Sequence, residues 1–459
     1  MCPRALTWLV AVSICFSASL TATGQTPHTL MYAPGKSITL SLPAEFDINI
    51  AASGLRRVRF FAQAPDGRIF ATGMHDLADN TNGSIFILDR WDPRSRTFGK
   101  TLHYLDHLRN PNSVAFWTDP ASRQAWLYVA LTDKLVRYKY TAGETRPASA
   151  PETLIRFPDY GLSYKYGGWH LTRTIAIAQV DNKTRIFVSA GSSCNYCQER
   201  EALRAAIVAM DPDGKNQALI AKGLRNAVGV AYVPEADARS LFATNMGDDH
   251  LGDKLPEDTF FKVELNPGRP VNFGWPTCYF ASGKAVHDST PFPGANAKEG
   301  STQSSDASVY GKQSGVAAAG TNLPAGGGVG PAVDLNAKLG RPASPLKSCE
   351  QVPAPYATFP AHSSPLGFEH FTKADPVLQD SFLVALHGAG HPRIGTGYRV
   401  ARLTPSDRRP QDFITGFLTF EGGKPVVHGR PCGLLRLGPD AFLLTDDYLG
   451  LVYYIHSRS

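Results

Sequence analysis

The sequence predicts an all-β chain built as a six-bladed β-propeller, on three observations. First, short β-favouring runs recur at Arg68–Thr72, Ala125–Val129, Arg185–Ser189, Ser240–Thr244, Ser381–Ala385 and Ala441–Thr445. Second, a large apolar residue inside each run (Phe70, Tyr128, Phe187, Phe242, Phe382, Leu443) follows the last at spacings of 58, 59, 55, 140 and 61. The one long gap contains residues 279–348, rich in Gly, Ala, Ser and Pro, and without them it shrinks to 70. A period of about 55–60 residues marks one supersecondary unit repeated six times. Radial repetition of four-stranded sheets is the propeller's way of keeping sheet edges short and protected. Third, each run is preceded by another short strand carrying a small residue: Ala62, Ala115, Ala176, Gly229, Gly367 and Gly433. An Asp follows each of these, at 66, 119, 181, 237, 375 and 440. Small residues suit the crowded centre of a propeller, where backbones approach closely. A pair of β-sandwiches would not need the same phrase each time.

The first 24 residues read as a secretory signal. Arg4 supplies a positive start, Leu6–Cys15 is mostly apolar, and Ala22–Gly24 offers small residues for cleavage. The apolar run falls short of the roughly 20 residues that a membrane span needs, and no later stretch reaches that length. Residues 25–459 are therefore expected as a single propeller domain, periplasmic or secreted. The net charge of +6 on 459 residues is spread without a run of five like charges, which gives no reason to expect a nucleic-acid partner. With 43% apolar residues the chain can bury a large core. The stretch at about 279–348 lacks the large apolar residues to build its own core, and is expected as a long loop or partly disordered excursion. In an oxidising compartment cysteines pair by default. Cys278 and Cys349 flank the excursion and form the expected pair. Cys194 and Cys197 are spaced for a tight local disulfide, and Cys432 is left as a buried thiol.

Three positions before each small residue stand Arg59, Asn112, Arg173, Asn226, Ser364 and Arg430, all polar or charged. If the inner strands run the same way, these residues gather at one mouth of the central channel, where a binding site would form. Four phrases near that mouth carry chemistry. His170 lies in the loop feeding the third inner strand, and a neutral imidazole suits proton removal from an alcohol. Arg225 and Asn226 begin the fourth inner strand, pairing a planar five-donor fork with a neutral donor that could reach a carbonyl or quinone oxygen. Between Asn245 and Asp258, dense carboxylates and turn glycines suggest a hard cation such as Ca²⁺. Arg393 lies in the loop from His387, and Arg430 starts the last inner strand. Three guanidinium groups around one cavity repel unless an anion joins them, so a multiply charged acidic ligand is expected.

These phrases resemble the glucose/sorbosone dehydrogenase family of soluble quinoproteins, and its sorbosone-dehydrogenase-like branch most. The matches are Gly-Leu-Arg-Asn (223–226), Asn-Phe-Gly-Trp-Pro (272–276), Ala-Leu-His-Gly (385–388), Gly-Tyr-Arg-Val (397–400), Gly-Arg-Pro (429–431) and Thr-Asp-Asp (445–447). They cover roughly residues 45–456 outside the excursion. The resemblance implies pyrroloquinoline quinone (PQQ), which carries three carboxylates, and Ca²⁺ as cofactors. It implies hydride transfer from a sugar or related alcohol or aldehyde hydrate. By position, His170 matches the base that takes the hydroxyl proton. Arg225 and Asn226 match groups that polarise the quinone and bind the cofactor. Arg393 matches a quinone contact, and Arg430 an arginine on a cofactor carboxylate. Gly247 and Asp248 match the backbone carbonyls on Ca²⁺. Where the glucose enzymes place a carboxylate behind the base, this chain has Ser192, which could accept a hydrogen bond but would stabilise imidazolium less. Trp169 replaces a sugar-binding Asp, and Asp248 replaces a proline. No haem motif is present, so electrons are expected to leave to an external acceptor. Two other readings predict different features. A metal-dependent lactonase needs carboxylates such as Asp248 or Asp249 converging on the metal. A carbohydrate-binding propeller needs exposed aromatic platforms.

Overall fold

The computed structural model describes residues 24–158, 170–292, 339–340 and 344–458. Six four-stranded antiparallel sheets follow one another around an axis. Blade 1 comprises Val58–Gln63, Ile69–Gly73, Gly83–Asp92 and Thr97–Leu108, and blade 2 Ser113–Thr118, Ala125–Ala130, Lys134–Tyr140 and Glu152–Arg156. Blade 3 comprises Ile175–Val180, Lys183–Ala190, Ala206–Met210 and Ala218–Lys222, with Val271–Asn272 added in parallel at its edge. Blade 4 comprises Val230–Tyr232, Ser240–Asn245, Asp258–Glu264 and Ala357–Phe359, and blade 5 Pro365–Phe371, Ser381–Leu386, Arg399–Leu403 and Gln411–Ile414. Blade 6 comprises Pro431–Gly438, Ala441–Asp446 and Leu451–Ser457, and takes its outermost strand from Phe46–Ala52 near the start of the chain. The inner strand of blade 6 packs on that of blade 1, so the ring closes. The chain is a six-bladed β-propeller, as its repeat predicts.

The large apolar clusters sit between blades, one at each of the six junctions. Strand periodicity explains this: alternate side chains face opposite neighbours. Leu241 and Ala243 face blade 3 while Phe242 faces blade 5. The small residues of the inner strands lie where the repeat places them. A Cβ on Gly229 would stand 2.0 Å from the Leu366 carbonyl oxygen, and one on Gly433 2.2 Å from that of Arg59. Hydroxyls at the ends of the repeated runs stitch one blade to the next. Thr72 donates to the Asn112 carbonyl (2.8 Å), Thr244 to Leu366 (2.8 Å) and Thr445 to Arg59 (2.7 Å). The Asp after the inner strand caps its turn, as Asp119 does by accepting from the Ala121 N–H and the Ser122 hydroxyl.

The excursion starts inside blade 4, between its third and fourth strands, and its first part is a hairpin, Cys278–Ala281 with Lys284–His287. The Cys278–Cys349 disulfide joins its ends, Cys194 pairs with Cys197, and Cys432 is a buried thiol. A second hairpin, Gln25–Ala33 with Lys36–Pro43, adds Ile38, Leu40 and Leu42 to the cluster between blades 5 and 6. The leader expected at residues 1–24 lies almost wholly outside the described residues, as do Trp169 and most of the excursion. Among the described residues no helix is long and apolar enough to cross a membrane.

Candidate active site

The inner strands run the same way, and the residues at their starts gather at one end of the ring. Arg59, Asn226, Ser364 and Arg430 line a cavity of about 280 Å³ together with His170, Arg225 and Gly247. Asn112 and Arg173 are fully buried but support the wall rather than form it. The Asn112 side chain accepts from Arg59 Nε (3.2 Å) and donates to Thr174 Oγ1 (3.0 Å). Arg173 Nη1 donates to the carbonyls of His170 and Thr172, both at 2.8 Å.

That hold on its carbonyl fixes His170, whose backbone is left-handed (φ 50°). The ring is fixed from the other side. Ser192 is fully buried, and its hydroxyl donates to the Cys194 carbonyl at 2.6 Å. With its one hydrogen used, Ser192 Oγ accepts from His170 Nδ1 at 2.8 Å, and the Ser192 carbonyl is a second acceptor at 3.2 Å. Nδ1 therefore carries the proton and Nε2 the basic lone pair. Burial, and then the Arg225 charge, hold the imidazole well below its usual pKa, so it is neutral at pH 7. A Cβ on Gly191 would stand 2.5 Å from His170 Cβ and 2.6 Å from Asn226 Oδ1, so only glycine lets these two groups sit so close.

Arg225 is buried and tightly held. Nε donates to the Asn195 carbonyl (2.9 Å), Nη2 to Asn195 Oδ1 (2.6 Å) and Asp249 Oδ2 (3.3 Å), and Nη1 to the Gly247 carbonyl (2.6 Å). The Gly247 N–H donates to Asp258 Oδ1 (2.7 Å), and Asp258 Oδ2 accepts from the Ser364 N–H (2.8 Å). Burial pushes the Asp258 carboxyl up to about 7 against those two donors. Asp248 is buried outside the cavity, its carboxylate 2.9 Å from the His250 ring. Asn226 places its Oδ1 in a buried position without a hydrogen-bond partner.

On the far side, Arg430 donates to the carbonyls of Gly388 (3.2 Å) and Ala389 (3.1 Å) and to the Tyr398 hydroxyl (2.7 Å). His387 stands between Arg430 and Asp447, with Nε2 2.8 Å from the Asp447 carboxylate. Burial pulls this imidazole down to about 4. Nδ1 therefore accepts from Arg430, and Nε2–H donates to Asp447. The same carboxylate pairs with Arg59 at 2.8 Å.

The expected trio of arginines changes in membership. Arg225 and Arg430 line the cavity, but Arg393 is exposed on the short 3₁₀ turn Pro392–Ile394 and does not. That turn is closed by left-handed Gly395, whose N–H donates to the Pro392 carbonyl. The third guanidinium is that of Arg59. A fourth cation, unread in the sequence, is His362: it faces the Asp249 carboxylate (3.2 Å) and the Gly252 carbonyl (2.9 Å), and the Asp249 bond raises it to about 9. His362 was illegible because it comes from a blade-connecting loop outside the inner-strand repeat, and Asp258, read as the end of a carboxylate-rich phrase, instead starts a third strand and accepts two backbone N–H groups. The cavity thus presents Arg59, Arg225, Arg430 and protonated His362 against Asp249 and a half-neutral Asp258, an excess of positive charge suited to an anionic ligand.

A closed six-bladed propeller with a buried imidazole and a cationic cavity at one end of its ring is the class of protein that fold and site define. The chain belongs to the TrAA12-like family, whose model matches residues 118–413. Among solved structures it is similar in fold to the holo form of the pyranose dehydrogenase PQQ domain from Coprinopsis cinerea, at 15% identity and TM-score 0.61, covering 91% of this chain and 97% of that one. It is also similar to the calcium structure of the carbohydrate-active enzyme of family AA12 from Trichoderma reesei (16%, TM-score 0.61, covering 91% and 96%). A third is the PQQ-bound aldose sugar dehydrogenase from Streptomyces coelicolor (16%, TM-score 0.51, covering 90% and 99%).

Proposed function

We propose that this chain oxidises a sugar, or a related alcohol or aldehyde hydrate, with PQQ and Ca²⁺ as cofactors and an external electron acceptor. The observation that carries this reading is a neutral His170 of fixed tautomer beside Arg225, in a cavity with an excess of guanidinium charge. A ligand with three carboxylates fits that cavity: Arg59, Arg225, Arg430 and His362 answer its charge, and the orphaned Asn226 Oδ1 offers a polar contact. The backbone carbonyls of Gly247 and Asp248 would hold Ca²⁺. The Gly247 oxygen keeps a second lone pair beyond the one facing Arg225. When bound, PQQ supplies the two-electron acceptor that receives hydride from the substrate carbon. His170 Nε2 takes the proton of the substrate hydroxyl as the carbonyl product forms. The Ser192 oxygens hold the ring in place through Nδ1, and Arg225 would bind and polarise the cofactor with its guanidinium charge. Three solved structures of similar fold support the reading: the holo form of a pyranose dehydrogenase PQQ domain, the calcium structure of a family AA12 enzyme and a PQQ-bound aldose sugar dehydrogenase.

Export to the periplasm or beyond, with residues 1–24 removed, is part of the same proposal, and two disulfides support it. A lactonase would need carboxylates converging on one metal. Among the described residues, Asp248 sits against His250, Asp249 against Arg225 and His362, and Asp258 against two backbone N–H groups. The test is turnover of a sugar panel by protein loaded with PQQ and Ca²⁺, read with an artificial electron dye, beside a lactone-hydrolysis assay. Dye reduction by at least one sugar is expected. Lactone hydrolysis with no dye reduction would replace the proposal.

A further inference from the structure

The disulfide loop Cys194–Cys197 does not line the cavity, yet it holds groups that do. Asn195 faces one edge of the Arg225 guanidinium with two acceptors, its carbonyl on Nε and its Oδ1 on Nη2. The same Oδ1 accepts the Asp249 N–H at 3.0 Å, which ties the turn after Gly247 to the loop. The Cys194 carbonyl receives the Ser192 hydroxyl and so sets which nitrogen of His170 is protonated. The Tyr196 ring stacks on His250 at 3.9 Å, and its hydroxyl donates to the Thr290 carbonyl at 2.7 Å. The loop is itself anchored. The disulfide closes it, and the buried Glu199 carboxylate accepts from the Ser193 N–H (2.6 Å) and hydroxyl (2.7 Å).

We propose that Asn195 is a positioning residue for Arg225, and that the Cys194–Cys197 disulfide holds its two acceptors in register. Arginine has a long, rotamer-rich side chain, and a guanidinium ordered in advance spares that loss when an anion binds. Two acceptors from one residue match the flat two-donor edge of the guanidinium, which a single acceptor could not orient. The four bonds to Asn195, Gly247 and Asp249 account for most of its five N–H groups, so Arg225 has one orientation. The inference rests on the reading of Arg225 as a cofactor-binding group, but one of its tests does not.

That test uses full-length protein without cofactor. The Arg225 Nε–H resonance, assigned by its loss in Arg225→Lys, should exchange slowly with water. It should exchange about ten-fold faster or more in Asn195→Ala, which keeps the backbone carbonyl on Nε but removes the Oδ1 that stops the guanidinium from swinging off it, and likewise in the paired Cys194→Ser, Cys197→Ser variant, which frees the loop carrying both acceptors. In the second test, Asn195→Ala should bind PQQ about ten-fold more weakly at an almost unchanged melting midpoint. Asn195→Asp, which keeps a side-chain oxygen acceptor beside the backbone carbonyl, should restore slow exchange. Wild-type exchange and wild-type affinity in Asn195→Ala would overturn the assignment. If the wild type bound no PQQ while the Arg225 resonance behaved as expected, the functional proposal would fall and the clamp would stand. If the alanine variant fails to fold, the cysteine pair and Asn195→Asp give the same comparison.

Discussion

His170 can act as a base only while it is neutral and only through Nε2, and both conditions come from its neighbours. Burial and Arg225 lower its pKa, and the Ser192 oxygens hold the proton on Nδ1. His170→Ala should cost about 10²–10⁴-fold in turnover, the usual range for general-base catalysis, while the melting midpoint and PQQ affinity hold. The pH profile follows from the sign of the shift. A base with a lowered pKa stays unprotonated further into acid, so kcat/KM should hold through pH 6.5 and fall only well below it. Ser192→Asp would place a carboxylate behind Nδ1, stabilise the imidazolium and move that acid limb to higher pH. An unmoved limb would separate Ser192 from the chemistry. Much of this site was legible in the sequence, because Arg225, Asn226 and Arg430 stand by strand starts that the repeat marks and His170 lies in the loop that feeds another. Ser192 was legible by its place behind the base. Arg393 was misplaced because spacing shows where a loop begins but not which way its side chains turn. Arg59 stood in the same strand-start series as Arg430, and its pairing with Asp447 across nearly the whole chain has no local signal.

At the level of strands and turns, the blades are joined by close backbone contact at the axis and by turn carboxylates further out. Gly229 and Gly433 have no room for a side chain, since an added carbon would meet a carbonyl oxygen of the next inner strand. Alanine at either should destabilise the protein by about 1–3 kcal/mol, as overpacking does, and lower the melting midpoint. Ala62, Ala115 and Ala176 already hold that carbon in blades 1–3. Asp66 shows the turn carboxylate at work between blades 1 and 2. It accepts from the Tyr140 hydroxyl (2.7 Å), the Gly143 N–H (2.8 Å) and Arg68 Nε (3.0 Å). Burial would raise its pKa, but these donors outweigh it and bring it down to about 2. A lowered pKa stabilises the fold above the unfolded value of 3.8 and is lost as pH falls through about 2. Asp66→Asn should therefore cost about 1–2 kcal/mol at neutral pH, with the gap to wild type closing across that acid window, as melts at several pH values would show. The repeated runs were readable because every blade needs the same alternation. The register of blade 5 was not. There Phe382 faces back to blade 4 and Leu383 faces blade 6, so the aromatic chosen in the sequence sits one place off its counterparts.

The whole ring closes through a strand from the beginning of the chain, Phe46–Ala52, paired with the last one, Leu451–Ser457. No local pattern announces that pairing, because its partners lie about as far apart in sequence as the chain allows. The excursion was visible as a change in composition, but its origin between the third and fourth strands of blade 4 was not. Closure brings strand starts from all six blades to one end, and that gathering turns dispersed arginines into the lining of a single cationic cavity. Its central consequence can be measured in one cuvette. Purified protein is titrated with PQQ in the presence of Ca²⁺, the quinone absorbance is followed, and sugar is then added. The account predicts saturable binding, a rise in melting temperature with ligand concentration, and bleaching of the bound quinone by at least one sugar. A cavity that leaves PQQ in solution at every concentration tested, with Ca²⁺ present and the protein folded, would contradict it.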